Sequence, residues 1–126
     1  KLLKKENFIF VPIRSNYRKK IFLNKLKNLF NEEFLSNYLN IIEDVDFSNL
    51  ENINKIREYL VREKKTLDVV ILNAGMQYTG ALYPKVSKQG FEMTFAINHL
   101  AHFYLIQNLL SLINPYVTSQ ICCGIG

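Results

Sequence analysis

Short apolar runs alternate along the chain with stretches whose apolar residues recur every three or four positions. The runs at residues 7–13, 39–45 and 69–72 are rich in Ile, Val, Leu and Phe and end in polar or small residues, which is typical of strands. A further run begins at Ser119. Because strands that alternate with helices form parallel sheets with right-handed crossovers, the pattern predicts an α/β fold of order βαβαβαβ.

The first two helical stretches lie between these strand-like runs. The apolar positions of the first are Phe22, Leu26, Leu29 and Phe30, and those of the second are Leu50, Ile53, Ile56 and Leu60. Ser48 or Asn49 is suited to cap the second helix, and Glu51 stands three residues after Ser48, as in a capping box. The spacing therefore predicts two amphipathic helices, each with one apolar face.

The longest helical pattern covers residues 87–112. Residues at steps of four and three are predicted to share one face of this helix: Phe91, Phe95, Asn98, His102, Leu105, Leu109 and Leu112. Asn98 is a polar residue in the middle of this stripe, and a buried amide without hydrogen bonds costs about 1–3 kcal/mol. Asn98 is therefore predicted to have hydrogen-bond partners, either as a structural group or as a functional one.

Length and composition limit the class of protein. With 126 residues, of which 48% are hydrophobic and 21% charged, the chain is expected to form one domain over residues 1–126. No apolar run approaches the roughly 18 residues of a membrane span, and the basic start lacks the apolar segment of a signal peptide, so a cytoplasmic protein is expected. Cys122 and Cys123 are adjacent and would point to opposite faces of a strand, which favours reduced thiols over a disulfide or a metal site.

The positive charge lies in the first half of the chain. Residues 1–65 hold 14 of the 16 basic residues and 9 of the 11 acidic ones, which accounts for the whole formal charge of +5. Lys25, Lys27, Lys55 and Lys64 alternate with apolar residues at helical spacing and are expected on solvated helix faces. The basic character therefore does not predict a nucleic-acid partner.

Two motifs carry a family resemblance. The run at 69–72 is followed by Asn73-Ala74-Gly75, and residues 95–103 read Phe-Ala-Ile-Asn-His-Leu-Ala-His-Phe. These motifs resemble those of the short-chain dehydrogenase/reductase family, in particular the branch that holds retinol dehydrogenases and light-dependent protochlorophyllide reductases. The family's reaction is hydride transfer from NADPH to a carbonyl or, in protochlorophyllide reductases, to a ring double bond.

The resemblance also assigns roles to individual residues. It implies that Asn98 is a catalytic residue that holds a water in the proton relay, and that Asn73 ties the central strands together. It implies that Ala74 and Gly75 let the backbone lie against the ribose of the cofactor, since a larger side chain would intrude. These roles are expectations for a cofactor site that begins at the end of the third strand-like run.

The ends of the first two strand-like runs bear on the choice of cofactor. The resemblance places the residue that distinguishes NAD from NADP directly after the first run, where Arg14 stands with Arg18 and Lys19 nearby. A guanidinium suits the 2′-phosphate, so NADP is the predicted cofactor, although an ordinary surface arginine fits the same pattern. Asp46 and Phe47 resemble the family's Asp-Leu-x-Ser element, whose acid helps to fix the adenine. Taken alone, Asp46 is typical of a turn or a cap.

Two further family motifs are not found in the sequence. It contains no Thr-Gly-x-x-x-Gly-x-Gly string, whose glycines let the backbone approach the cofactor pyrophosphate, and none of its seven tyrosines has a lysine four residues later. The predicted fold is therefore a partial doubly wound, Rossmann-like parallel sheet that lacks the first strand and the glycine-rich loop. The chain is expected to be a truncated part of an NADP-dependent oxidoreductase with a small-molecule substrate, and to be inactive by itself.

Other interpretations remain open at this point. A non-catalytic remnant with the same fold would bind a nucleotide or a protein partner, and an unrelated receiver-like domain is weakly suggested by the acidic residues at 43, 44 and 46. His99 and His102 have no further ligands on their helix, so they are predicted to be core or interface histidines rather than metal ligands. The helix at residues 87–112 is apolar on several sides, which favours a homodimer formed through it.

Overall fold

The structure, a computed structural model, describes residues 7–77, 83–115 and 120–123. Strands and helices alternate along these residues, and the chain divides into two units, Lys1–Asp46 and Phe47–Gly126. Each unit has its own pair of parallel strands, which confirms the predicted α/β class and the parallel pairing. That residues 1–126 form a single domain stays a prediction.

The first unit is built on one parallel strand pair. It consists of β1 (Ile9–Ile13), α1 (Asn16–Lys27), α2 (Glu32–Tyr38) and β2 (Leu39–Glu43). Ile9 lies opposite Leu39, and Ile13 lies opposite Glu43. No residue of α1 is fully buried. The buried apolar residues of this unit come from the strands, from α2 and from the segment after β2: Ile13, Leu35, Ile42 and Val45.

Helix α2 departs from the sequence-based prediction. Apolar spacing predicts Leu29 and Phe30 on the first helix, but α1 ends before them and Leu29 is exposed. A new helix starts after Asn31, whose side chain accepts a hydrogen bond from the Phe34 N–H at 2.7 Å. The prediction is wrong here because a local capping signal outweighs the apolar spacing.

The second unit contains the other strand pair. It begins with α3 (Leu50–Arg62) and β3 (Val69–Leu72), and it includes β4 (Gln120–Cys123), which pairs in parallel with β3. The Asn49 side chain accepts a hydrogen bond from the Glu51 N–H, so Asn49 is the cap of α3 rather than Ser48. The buried face of α3 is the predicted one: Ile53, Ile56 and Leu60. The predicted strand start at Ser119 and the side chains of Cys122 and Cys123 lie outside the described residues.

The helix predicted at residues 87–112 is shorter and is composed of different turns. It comprises α4 (Met93–Phe95), a π-helical turn (Ala96–Leu100), α5 (Ala101–Leu109) and a 3₁₀ turn (Leu110–Leu112). Glu92 is its N-cap, and Ser87 lies in the preceding loop. The predicted start at residue 87 is therefore wrong. The buried Ser87 hydroxyl accepts a hydrogen bond from the Phe91 N–H, which stabilises a turn before the helix begins.

The π turn changes which residues of this helix are buried. The Ala101 N–H donates to the Ala96 carbonyl, five residues earlier, and the buried positions follow this step: Ala96, Ala101, Leu105 and Leu109. Phe91 and Phe95 are 45% and 50% exposed whereas Leu105 and Leu109 are buried, so the prediction that all of them share one face is wrong. A π turn holds more residues than α-helical spacing assumes, and it shifts every position on one side of it relative to the other.

A polar seam joins α3 to α5. The Arg57 guanidinium donates to the Asn108 carbonyl at 2.8 Å and to the Ser111 hydroxyl at 2.9 Å. The Asn54 side-chain oxygen accepts from the Tyr104 hydroxyl at 3.0 Å and from the Asn108 amide at 3.1 Å. Because these partly buried groups satisfy one another across the helix pair, they fix the position of α5 along α3.

The described strands form two separate parallel pairs, β1 with β2 and β3 with β4. Among the described residues, no strand joins one pair to the other. Val69 and Ile71 of β3 are about half exposed, so one face of that strand is not covered by the described residues.

We expect Ile53→Ala to destabilise the protein strongly. Ile53 has no exposed surface, and truncation of a buried Ile to Ala costs about 2–5 kcal/mol through lost burial and a residual cavity. Val61→Ala is the matched control, since Val61 is on the same helix but 51% exposed, and it should change the free energy of unfolding by less than about 0.5 kcal/mol. Urea denaturation measures both values, and equal midpoints for the two variants would contradict the described core.

Candidate functional site

The segment after β3 is exposed and irregular. Strand β3 ends at the buried Leu72, and Asn73, Ala74 and Gly75 follow it as exposed residues outside any helix or strand. The structure thus places all three at the carboxyl end of a parallel strand, which is where ligands bind in open α/β sheets. Their contact with a cofactor stays a prediction.

Asn98 is held close to this segment by both ends of its carboxamide. The Met76 N–H donates to Asn98 Oδ1 at 2.8 Å, and Asn98 Nδ2 donates to the Met76 carbonyl at 2.8 Å. The side chain therefore pairs with the backbone of one residue much as a neighbouring strand would. The prediction that Asn98 has hydrogen-bond partners is confirmed, although the residue is exposed rather than buried.

Gly75 lies close to the same carboxamide. A Cβ atom at residue 75 would be 3.4 Å from Asn98 Oδ1 and 3.9 Å from Asn98 Cγ, which is van der Waals contact. The structure thus brings together two predicted site residues, Gly75 and Asn98, with Met76. No sequence signal marks Met76, because a residue that bonds through its backbone needs no particular side chain.

The π turn is the local structure that carries Asn98. Asn98 is the middle residue of the Ala96–Leu100 turn, and neither Gly nor Pro occurs in it. Turns of this kind are rare and often lie at functional sites. The carboxamide contact with Met76 is a tertiary interaction made from within the turn, and apolar spacing along the chain gives no indication of it.

Glu92 fixes the beginning of the helix that contains Asn98. Its carboxylate oxygens accept from the Thr94 N–H at 2.9 Å and from the Phe95 N–H at 2.8 Å. These hydrogen bonds, from the Phe95 backbone first and the Thr94 backbone second, lower the pKa of Glu92 below its ordinary value of 4.5. Glu92 is a further residue of the site region that sequence-based prediction missed. An acidic residue near the start of a helical pattern is the signal for it.

The loop before this helix is tied to the start of α3. The Lys88 N–H donates to the Ser48 carbonyl at 3.0 Å, and Gln89 Nε2 donates to Asn49 Oδ1 at 3.0 Å. The Lys88 ammonium pairs with Glu51 at 2.7 Å. These bonds connect the residues directly after Phe47 to the helix that carries Asn98.

Phe47 and His102 form a direct ring contact within the second unit. Their ring centroids are 5.5 Å apart and the rings are nearly perpendicular, at 83°. Burial lowers the pKa of His102 below 6.5, and a hydrogen bond with the Asn98 backbone acts in the opposite direction. His99 stacks on Phe95, with centroids 5.2 Å apart. Both histidines therefore have aromatic neighbours, as expected for core or interface positions.

The first unit contains the other predicted cofactor residues, Arg14 and Asp46. Arg14 is exposed directly after β1, at an open cavity of about 330 Å³, whereas Asp46 is partly buried. The cavity is lined by residues of β1 and α1 and by Arg14: Val11, Pro12, Ile13, Arg14, Arg18, Ile21, Phe22 and Lys25. Lys19 forms an ion pair with Glu43 at 2.5 Å, so its charge is compensated. The cations among the lining residues are Arg14, Arg18 and Lys25, and they supply positive charge for an anion at this cavity.

The described residues contain neither a metal-binding cluster nor a membrane-spanning helix. In this part of the chain, no group of three or more His, Cys, Asp or Glu side chains could hold a metal ion. None of the described helices has both the length and the apolar character needed to cross a membrane.

Known proteins match the chain in sequence, although no family model does. Retinol dehydrogenase 14 of Mus musculus is 36% identical over 81 residues, which is 64% of this chain and 23% of that protein. The chloroplastic protochlorophyllide reductase of Daucus carota is 33% identical over 73 residues, which is 58% of this chain and 18% of that protein. The chain thus matches less than a quarter of the length of these two relatives.

A solved structure shares the fold. The Pseudomonas aeruginosa RhlG/NADP active-site complex has a TM-score of 0.65 at 24% identity, and the match covers 88% of this chain and 40% of that chain. This similarity confirms the partial Rossmann-like fold. The two relatives represent the same two groups whose motifs resemble those around Asn73 and Asn98. The sequence and structural similarities together support a relationship of the chain to the short-chain dehydrogenase/reductase family.

Proposed function

We propose that the chain is part of an NADP-dependent oxidoreductase. The enzyme would transfer a hydride from NADPH to a carbonyl or, as in protochlorophyllide reductases, to a ring double bond of a small molecule in the cytoplasm. The pairing of Asn98 with Met76 is the observation that carries the proposal, because it holds the family's Asn beside the segment Asn73 to Gly75. NADPH supplies the hydride when it is bound.

The described residues suit two parts of this cofactor. In the first unit, Arg14, Arg18 and Lys25 line one cavity and supply the positive charge that a 2′-phosphate requires. In the second unit, the small residues Ala74 and Gly75 expose the backbone and would leave room for a ribose. RhlG, whose fold is similar, was solved with NADP. Asp46 and Phe47 are proposed to contact the adenine.

The occupied carboxamide of Asn98 determines how this residue could act. Both ends of the amide are used by Met76, so the side chain positions the turn rather than the reactants. The Asn98 backbone carbonyl has two lone pairs, and we assign to it the water of the proposed proton relay. The Asn98 carbonyl oxygen would accept a hydrogen bond from this water and so orient the water for proton transfer.

The proton donor of such a reaction is not provided by this sequence. No tyrosine of the chain has a lysine four residues later, so none has the family's means of lowering a tyrosine pKa. The Tyr104 hydroxyl donates to Asn54 on α3, and Tyr78 lies outside the described residues. We therefore propose that these 126 residues do not complete a reaction by themselves.

A second candidate function follows from the same observation. Without the Tyr-Lys pair and the glycine-rich loop, the fold could serve as a non-catalytic module that binds a nucleotide or a protein. Sequencing of the flanking DNA distinguishes the two. A glycine-loop coding string upstream and Tyr-x-x-x-Lys downstream in the same frame would favour the enzyme, and stop codons on both sides would favour the module.

We also propose that the enzyme is a homodimer formed through the helix that carries Asn98. Phe95 and Phe103 are 50% and 60% exposed, Leu110 is 54% exposed, and His99 stacks on Phe95. We call these exposed residues of one helical segment, Phe95, His99, Phe103 and Leu110, the exposed stripe. Exposed apolar stripes of this kind are typical of protein interfaces.

The cofactor proposal predicts the effect of a single charge reversal. Arg14→Asp should reduce the preference for NADPH over NADH, because loss of a charge-assisted hydrogen bond costs about 1.5–3 kcal/mol. This corresponds to roughly a 10- to 100-fold change in the ratio of the two Kd values. Lys20→Asp changes the net charge equally at an exposed position outside the cavity and should leave the ratio near that of the parent. Fluorescence titration with both cofactors measures it. An unchanged ratio in Arg14→Asp would show that Arg14 does not contact the 2′-phosphate.

The absence of a proton donor predicts the result of an activity assay. The purified 126-residue chain with NADPH and all-trans retinal or protochlorophyllide should oxidise no cofactor above background, since loss of a general acid alone typically costs about 10²–10⁴ in rate. Absorbance at the NADPH band measures turnover. Turnover that disappears in Asn98→Ala would mean that another residue of the chain supplies the proton.

The dimer proposal predicts that the chain self-associates. Phe103→Glu should lower the weight-average mass in sedimentation equilibrium, because it places a charge in the exposed stripe. Val61→Glu is the control, because Val61 is similarly exposed on α3 and lies outside the stripe. A monomeric parent chain at all concentrations would contradict an interface at this helix.

A further inference from the structure

His102 has a buried ring nitrogen without a hydrogen-bond partner. Among the described residues, Nε2 of His102 is the buried side-chain polar atom for which none is found. Buried polar atoms are usually hydrogen-bonded, so such an atom calls for an explanation. A neutral imidazole offers one, because its unprotonated nitrogen is only an acceptor and costs less to leave unpaired than an N–H would.

The contacts of the ring determine which nitrogen carries the proton. The imidazole is hydrogen-bonded to the Asn98 backbone, and this bond favours the protonated ring, so the Asn98 group is the acceptor carbonyl. Since Nε2 has no partner, the bond is made by Nδ1–H. The ring also lies edge to face with Phe47. One side chain therefore touches both the Asn98 turn and the residue at the start of the second unit.

We propose that neutral His102 is a positioning residue that holds the Asn98 turn and Phe47 together, and that protonation at Nε2 releases both. A proton at Nε2 would create a buried N–H without an acceptor, so the charged ring must turn toward solvent. The Asn98 carbonyl then loses its donor, and the π turn that presents Asn98 to Met76 loses a support. The consequence for the reaction rests on the proposed function, whereas the switch itself concerns only this chain.

The electrostatic surroundings set the direction of the pH effect. His99, on the same helix, is the charged or titratable group that acts on His102, and it disfavours a second positive charge there. On α3, which packs along α5, Arg57 reaches the far end of the helix at Asn108, and Glu51 pairs with Lys88. Because the folded state lowers the pKa of His102 below 6.5, its stabilising effect is complete above pH 6.5 and is lost as the pH falls through the lower, folded value.

The Met76 amide is the reporter for this switch, since its N–H bonds to Asn98 Oδ1. Hydrogen exchange by NMR, corrected for intrinsic rates, should show that the Met76 amide of the 126-residue chain is protected at pH 7.5. The protection factor of this amide should fall by about tenfold or more once His102 is protonated. The imidazole ¹⁵N shifts should show the Nδ1–H form above that transition. His99→Gln removes the charge that disfavours protonation of His102, so the loss of Met76 protection should persist in this variant and should occur at a higher pH than in the parent.

Two substitutions separate a positioning role from simple packing. His102→Phe keeps an aromatic ring against Phe47 but removes the donor, so Met76 should be poorly protected at every pH. His102→Asn keeps an N–H donor that does not titrate, so protection should be restored and should no longer vary with pH.

Protection that is independent of pH in the parent, or that persists in His102→Phe, would overturn the proposal. If the Phe variant does not fold, the parent and the Asn variant still decide, because equal pH dependence in those two proteins would equally overturn it. No cofactor is present in this experiment, so its result is independent of the NADPH titration of Arg14→Asp.

Discussion

The packing of α3 against α5 is the constraint on which the second unit depends. Ile53 and Leu60 supply the most deeply buried large side chains, and the bonds of Arg57 and Asn54 lie beside them. Apolar burial gives this helix pair its stability, but burial alone would tolerate sliding of one helix along the other. The directional hydrogen bonds remove that freedom. The residues that precede α5 are consequently delivered to a defined place.

The π turn is the point at which packing becomes a site. Ala96 and Ala101 are both buried and lie five positions apart, and the widened turn between them brings both to the buried side. Asn98 is the middle residue of that turn, and its carboxamide is satisfied by the backbone of Met76 rather than by solvent alone. A rare local geometry is thus stabilised on one side by the core and on the other by a tertiary hydrogen-bonded pair.

In the first unit, ion pairs distinguish the basic residues whose charge is compensated from those that line the cavity. Several basic residues follow β1, yet their roles differ in the folded chain. Lys19 is paired with Glu43 at the end of β2, and Lys27 is paired with Glu32 at the start of α2. Exposed pairs of this kind contribute little to stability, but they do reduce the charge available to a ligand. The field at the cavity beside Arg14 therefore comes mainly from Arg14, Arg18 and Lys25.

The sequence by itself determined the order of strands and helices, the parallel pairing, the buried face of α3 and the position of Asn73 to Gly75 at a strand end. Each of these follows from side-chain periodicity or from a local motif, and periodicity is a property of neighbours in the chain. Tertiary structure alone decided the π turn, the exposure of Phe91 and Phe95, the Asn98–Met76 pair and the contact of Phe47 with His102. The Asn98–Met76 pair and the Phe47–His102 contact join residues 22 and 55 positions apart, and the first of them uses backbone groups that every residue type provides. No local spacing encodes them, because the energy that favours them exists only after the helices have packed.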